Sequence, residues 1–410
     1  MNSKKLVFSI LLAMFLALGF YANPTGAMGI ANDSKETEKI KNVINTYFSQ
    51  RYESEKNLAL EDLSKITTSG DPITLEWLKL EHDRQEIKNK IAETFDTRVL
   101  DYTYTLHFQN ITINGDGTAN VNIVEDFKPR YKQDTTVQSE ITNSHTITLS
   151  KNEGKWLISF DNYEDEVTKA LKTTTKQELL DNIQQNHDGQ FGQGRESGKV
   201  QSLSIQPNFS VYSYNRSNAR TFADNNAYTT AAVPQAIKNA YQSIYGQPYP
   251  SNWSQNYRLE GSTDCTNFVS QSIFEGTGYT SGDANYFYPT PNDNNWYYKF
   301  SPNNSPSDMI GKGSGSWINV GSLYNFLTTN SSRGPYGHYT GTLCNLSSGD
   351  VVLMKSGGQW QHAVIISYIN SCTYSATMYV DAHTNNVKQV PLANYSLYSW
   401  YPVVIDGYLK

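Results

Sequence analysis

The chain has 410 residues, 18% of them charged and 13% aromatic, with a net charge of −6. That length exceeds the ~250 to 300 residues that one hydrophobic core supports, so two domains are expected. The acidic balance, with no run of Lys and Arg, excludes a basic field for nucleic acid, and no nucleic-acid partner is expected.

The chain begins MNSKKLVFSILLAMFLALGF, two lysines ahead of an apolar stretch from Leu6 to Phe20, with small residues following as far as Ala31. This pattern predicts a secretory signal peptide over residues 1–31, cut between Ala27 and Ala31. An uncleaved anchor is the alternative, but the stretch falls short of the ~20 residues that a spanning helix needs. The mature protein is expected to be secreted or associated with the cell wall, without stable membrane insertion. Cys265, Cys344 and Cys372 are too few for a disulfide scaffold, and Cys344 with Cys372 is the better couple if two of them pair.

Next comes TEKIKNVINTYFSQRY, in which Ile40, Val43, Ile44, Tyr47 and Phe48 recur at the spacing of one helix face. A second helix, LEWLKLEHDRQEIKNKIAETF, follows the break at Ser69-Gly70-Asp71-Pro72. Beyond residue 98 the period changes to two. Strands are expected around 102–113, 119–123, 144–150 and 155–161, with turns at Asn114-Gly115-Asp116-Gly117 and Lys151-Asn152-Glu153-Gly154. Helices followed by an antiparallel meander predict an α+β domain over residues 36–168, and their order resembles the cone-shaped folds of nuclear transport factor 2. His107 and His145 are read as surface or internally satisfied residues, and no convergent titratable set marks a pocket in this domain. Residues 169–210 are polar and rich in Gly and Gln, and read as a linker.

The composition then changes. Residues 211–410 hold only 10 of the 33 basic and 10 of the 39 acidic side chains, but 22 of the 29 tyrosines. Most of these aromatics are read as packing; Trp296, Trp317 and Trp360 are the candidates for a cleft. Within GSTDCTNFVSQSIFEG, Asp264 occupies an N-cap position and Cys265 the first helical one, with Phe268, Val269 and Ile273 on one face. A thiol at a helix start feels the positive end of the dipole and the free N–H groups, which favour thiolate. An inert buried cysteine fits the same pattern, so position alone leaves both readings open.

Two strands downstream carry histidines. His362 opens QHAVIISY on the face of Val364 and Ile366, and His383 ends MYVDAH on the face of Asp381. Cysteine on a helix, then histidine and a polar residue on successive strands, is the order of a thiol hydrolase. Neither an H-E-x-x-H run nor paired C-x-x-C motifs occur, so no metal and no cofactor are expected. Gly313-Ser314-Gly315 lies in a Gly/Ser-rich loop with no strand before it, which argues against a serine-hydrolase elbow.

Asp264-Cys265-Thr266-Asn267-Phe268-Val269-Ser270-Gln271, Ser316-Trp317, Gly349-Asp350-Val351, His362-Ala363-Val364-Ile365 and Ala382-His383-Thr384 together resemble amidase family six. This is an amidase domain of exported Gram-positive proteins, related to the NlpC and CHAP papain-like hydrolases. The resemblance covers about 190 residues of the region 211–410. It implies a papain-like fold, with the nucleophile helix packed on an antiparallel sheet. By the same resemblance Cys265 is the nucleophile, His362 the base and His383 the third member, with Asp381 as the alternative. The implied activity is amide hydrolysis, with peptidoglycan or peptide as partner. A secreted effector acting on protein, or a non-catalytic surface binding module on the same shell, are the rival readings.

Overall fold

The computed structural model describes residues 30–60, 62–189, 209–227, 264–277, 296, 298–299, 312–371, 375–383 and 385–410. The expected signal peptide lies outside the described residues but for its last two positions, and Cys372 and Thr384 lie outside them too. No helix among the described residues is long and apolar enough to cross a membrane. The chain divides into two compact units, residues 1–42 and 43–410. Every strand among the described residues belongs to the second.

Helix α1 (Ile30–Asn57) and helix α2 (Pro72–Phe95) match the two periodic stretches. Asp71 caps α2 by accepting from the N–H groups of Ile73 and Thr74, and Pro72 begins it, where a missing N–H costs nothing. Ile44, Tyr47 and Phe48 of α1 are fully buried. Strands β1 (Val99–Ile113), β2 (Thr118–Tyr131), β3 (Glu140–Asn152) and β4 (Lys155–Asn162) form the expected meander. Its turns place Gly117 at φ 84° and Gly154 at φ 81°, a region that glycine enters without strain.

The expected linker departs from the reading. Its first part is helical, as α3 (Glu166–Thr173) and α4 (Lys176–Gly189), and residues 190–208 lie outside the described residues. Asp165 caps α3 through a reciprocal pair with Thr168. Val167, Ala170, Leu179 and Ile183 bury one narrow apolar face. Four small contacts on two short helices are a weak signal within a polar composition, and packing supplies what propensity lacks.

The C-terminal region continues with β5 (Val211–Tyr212), α5 (Arg216–Asn226), α6 (Cys265–Gly276), β6 (Tyr298–Lys299), β7 (Lys312–Gly313), α7 (Gly315–Ile318), α8 (Val320–Thr329) and β8 (Gly334–Tyr339). It ends with β9 (Val351–Ser356), β10 (Gln359–Ile369), β11 (Met378–Ala382), β12 (Asn386–Pro391) and β13 (Ser399–Leu409). Eleven strands share one sheet in the order β1-β2-β3-β12-β11-β10-β9-β13-β5, with β4 on β3 and β8 on β13. The strands expected in two domains thus belong to a single sheet. They join where β3 meets β12, with Ile141 opposite Val387 and Thr142 opposite Asn386.

Mixed helices and a large antiparallel sheet make this an α+β structure, as the sequence implies. Alternate residues of β10 feed two cores. Ala363 and Ile365 pack with Phe268 and Ile273 of α6, Ala223 of α5 and Leu323 of α8. Val364 and Ile366 pack with Ile87 of α2, Val167 of α3 and Leu179 of α4. The sheet therefore carries the cysteine helix in one layer and the supposed linker in the other. Cys344 is disulfide-bonded and Cys265 is a free buried thiol, while Cys372, the expected partner of Cys344, lies outside the described residues.

Candidate active site

Cys265 begins α6, with Asp264 in the N-cap position as expected, but the Asp264 carboxylate does not cap the helix. Its Oδ1 accepts from Asn267 Nδ2 at 2.6 Å, and its Oδ2 lies 2.9 Å from His383 Nδ1. Trp317 Nε1 donates to Asn267 Oδ1 at 2.7 Å, and Ser270 Oγ donates to the Trp317 carbonyl at 2.9 Å. The Asp-Cys-Thr-Asn string is thus a buried clamp that sets the helix start. No side chain caps α6, and a helix start is where N–H groups without intrahelical partners gather.

Cys265 is 3% exposed and His362 1%. Burial pushes the thiol up, but His362, the ammonium of Lys169 and the Thr266 hydroxyl outweigh it and bring the thiol down to about 7. His362 sits at a bulge of β10, between Trp360 and His362, and its ring lies against Tyr395 with centroids 5.3 Å apart. Neither of its ring nitrogens has a hydrogen-bond partner.

Two residues on α3 face this pair. Glu166 Oε1 lies 3.9 Å from His362 Nε2, and Glu166 Oε2 accepts from the Tyr398 hydroxyl at 2.8 Å. Burial alone would raise the Glu166 carboxyl, yet His362, Lys169 and Tyr398 hold it below the usual glutamate value. Burial would likewise lower Lys169, but Glu166 and Cys265 keep its ammonium above the usual lysine value. Sequence reasoning missed both residues. The visible signal was an acid beside a capping aspartate, which reads as ordinary dipole compensation.

The structure brings together Cys265 and His362 but not His383. Both His383 ring nitrogens are taken, Nδ1 by Asp264 and Nε2 by the Asn226 carbonyl at 2.9 Å, and its ring stacks on Phe268. His383 therefore secures the helix start rather than the base. Asp381 is engaged elsewhere too. It accepts from the Gln389 N–H at 2.7 Å, and burial together with Asp224 raises its carboxyl. His383→Ala is expected to destabilise the fold by about 1–3 kcal/mol, because Asp264 loses a buried partner. Thermal unfolding measures the loss.

The aromatic expectation is corrected as well. Trp296 and Trp317 are buried in the core, with ring centroids 4.4 Å apart. Trp360 packs against Tyr324 and Tyr401 beneath the Lys355 ammonium. In the meander His107 pairs with Asp126 at the surface, and His145 is buried between Asp161 and Glu125. Both are satisfied, as read. Titratable groups do converge there, however, around a cavity of about 130 Å³ whose walls include Arg51, Arg84, Lys88, Glu125 and Glu166. These come from two helices, a strand and the start of α3, so no local motif announces them. Among the described residues, the His82, Asp83 and Glu86 trio is close enough for a metal ion, but Lys79 and Lys176 already hold its carboxylates.

Residues 213–405 match the family model described as Putative amidase domain. No curated protein and no solved structure gives a significant match to the chain.

Proposed function

From the match of residues 213–405 to that family model, we propose that the chain is an exported, cysteine-dependent amidohydrolase acting on peptidoglycan stem peptides or cross-links. One observation carries the reading: the Cys265 thiol, drawn down to about 7 beside His362 at the start of a helix. A nucleophile of that kind is half thiolate at neutral pH. The layout, a cysteine helix packed on an antiparallel sheet that carries the histidine, supports a papain-like relationship to the NlpC and CHAP hydrolases. Export rests on the N-terminal sequence, and the wall substrate on the family resemblance.

The chemistry follows from the parts. His362 accepts the Cys265 proton, and the thiolate attacks the amide carbonyl. The uncapped N–H groups at the start of α6 hold the tetrahedral oxyanion. His362 then protonates the departing amine, and water, deprotonated by the same imidazole, hydrolyses the thioester. Digestion of purified peptidoglycan by the wild type and by Cys265→Ala, followed by mass spectrometry, tests this reading. New amine and carboxyl termini released only by the wild type are the expected result. Identical fragment patterns across several wall types would overturn the wall substrate.

A further inference from the structure

We propose that Glu166, which lies outside the matched amidase region, is the residue that orients His362, so that the catalytic set is Cys265, His362 and Glu166. This rests on the reading of Cys265 and His362 as nucleophile and base. Neither ring nitrogen of the buried His362 is in good hydrogen-bond geometry, and the Cys265 thiol, close enough to be drawn down by the ring, can serve one of them at most. Glu166 Oε1 is likewise buried and unpartnered, and it lies 3.9 Å from His362 Nε2. That is beyond hydrogen-bond length, but such contacts are often long before substrate arrives and tighten on binding.

Everything else about Glu166 is held in place. Its other oxygen is held by Tyr398, and it is the first residue of α3, directly after the reciprocal cap of Asp165 and Thr168. The Tyr395 ring, nearly parallel to the imidazole at 15°, fixes the plane in which His362 can turn. Of the rival candidates, His383 is held by Asp264 and Asn226, and Asp381, which gives one oxygen to the Gln389 N–H and leaves the other unpartnered, makes no ion pair with His362. Among the described residues, Glu166 is the carboxylate within ion-pair reach of His362. It can hold the ring so that the opposite nitrogen addresses the thiol, and it stabilises the imidazolium formed when His362 takes the proton. The titratable groups around the pair are Cys265 from α6, Glu166 and Lys169 from α3, and Tyr395 and Tyr398 from the turn before β13.

The test uses the full chain and iodoacetamide, whose reaction reports the Cys265 thiolate without a known substrate. Glu166→Ala is expected to slow alkylation at pH 7 about tenfold and to move its midpoint upward, because the imidazolium that draws down the thiol loses its partner. Glu166→Gln keeps an acceptor but no charge, and Tyr398→Phe frees the carboxylate. Both are expected to fall between Glu166→Ala and wild type, and they carry the test if the alanine variant does not fold. Peptidoglycan turnover is expected to drop roughly 10²-fold in Glu166→Ala with KM unchanged, the mark of misorientation rather than lost binding. Alkylation profiles in all three variants that match the wild type, or turnover that rises, would overturn the role of Glu166. A wild-type profile like that of an ordinary thiol would instead overturn the nucleophile itself.

Discussion

Iodoacetamide is expected to alkylate Cys265 with a midpoint near pH 7, where an ordinary thiol titrates at about 8.5. The sign follows from the surroundings. Burial works against thiolate, and the positive partners His362 and Lys169 more than reverse it. His362→Ala removes the stronger partner and leaves the burial, so its midpoint is expected above that of an ordinary thiol. Alkylation at pH 7 then falls by more than about tenfold. The Cys265→Ser variant supplies the blank that isolates the reaction at Cys265 from that of any other thiol. Far-ultraviolet thiolate absorbance, referenced to Cys265→Ser, gives the same titration without requiring reagent access. Turnover in Cys265→Ala is expected to fall at least about 10³-fold, since the thiol is the attacking group of the proposed reaction.

His145→Leu is expected to cost about 3 kcal/mol of stability. Removing the imidazole takes a shared partner from two buried carboxylates, Asp161, which keeps Tyr47 and Arg51, and Glu125, which keeps Tyr52 and Asn143. Burial opposes a charge on His145, but the two carboxylates raise it from 6.5 to about 9. Its folded value thus lies above the unfolded one. The stabilisation is fully present below about pH 6.5 and is lost as pH rises through 9, a total on the order of 3 kcal/mol. Glu125 has the opposite sign. Burial would raise it, yet His145, Arg51 and Tyr52 hold it at about 2, so its contribution is present above 4.5 and lost on acidification. Denaturant unfolding between pH 4 and pH 10 should therefore show a plateau near pH 5 to 6.5 and a steady alkaline decline that His145→Leu abolishes.

The elements of the fold were legible wherever periodicity was long. Both N-terminal helices, the four-strand meander and strands β9, β10 and β11 follow from spacing in the sequence, because a half-buried strand or helix writes its face into the order of apolar residues. Pairing is not written that way. Nothing in Glu140-Ile141-Thr142 or Asn386-Val387-Lys388 names the other, so the union of the two regions in one sheet was out of reach. The site divides along the same line. Cys265 and His362 stand in distinctive local strings, while Glu166 and Lys169 come from a short helix in a polar stretch almost 100 residues before the cysteine helix. The string around His383 was equally visible, but its work is mechanical: it anchors Asp264, which no motif separates from orienting a base.

The ladder between β3 and β12 has a consequence for any attempt to isolate the amidase segment. Cut free at residue 213, β12 would lose the strand that covers its outer side at Asn386, Val387 and Lys388. It would then present an open row of amide donors and carbonyls, the template on which sheets extend from one molecule to another. In the whole chain the meander occupies that row. The segment made alone is therefore expected to self-associate where the full chain does not, a difference that size-exclusion chromatography reads.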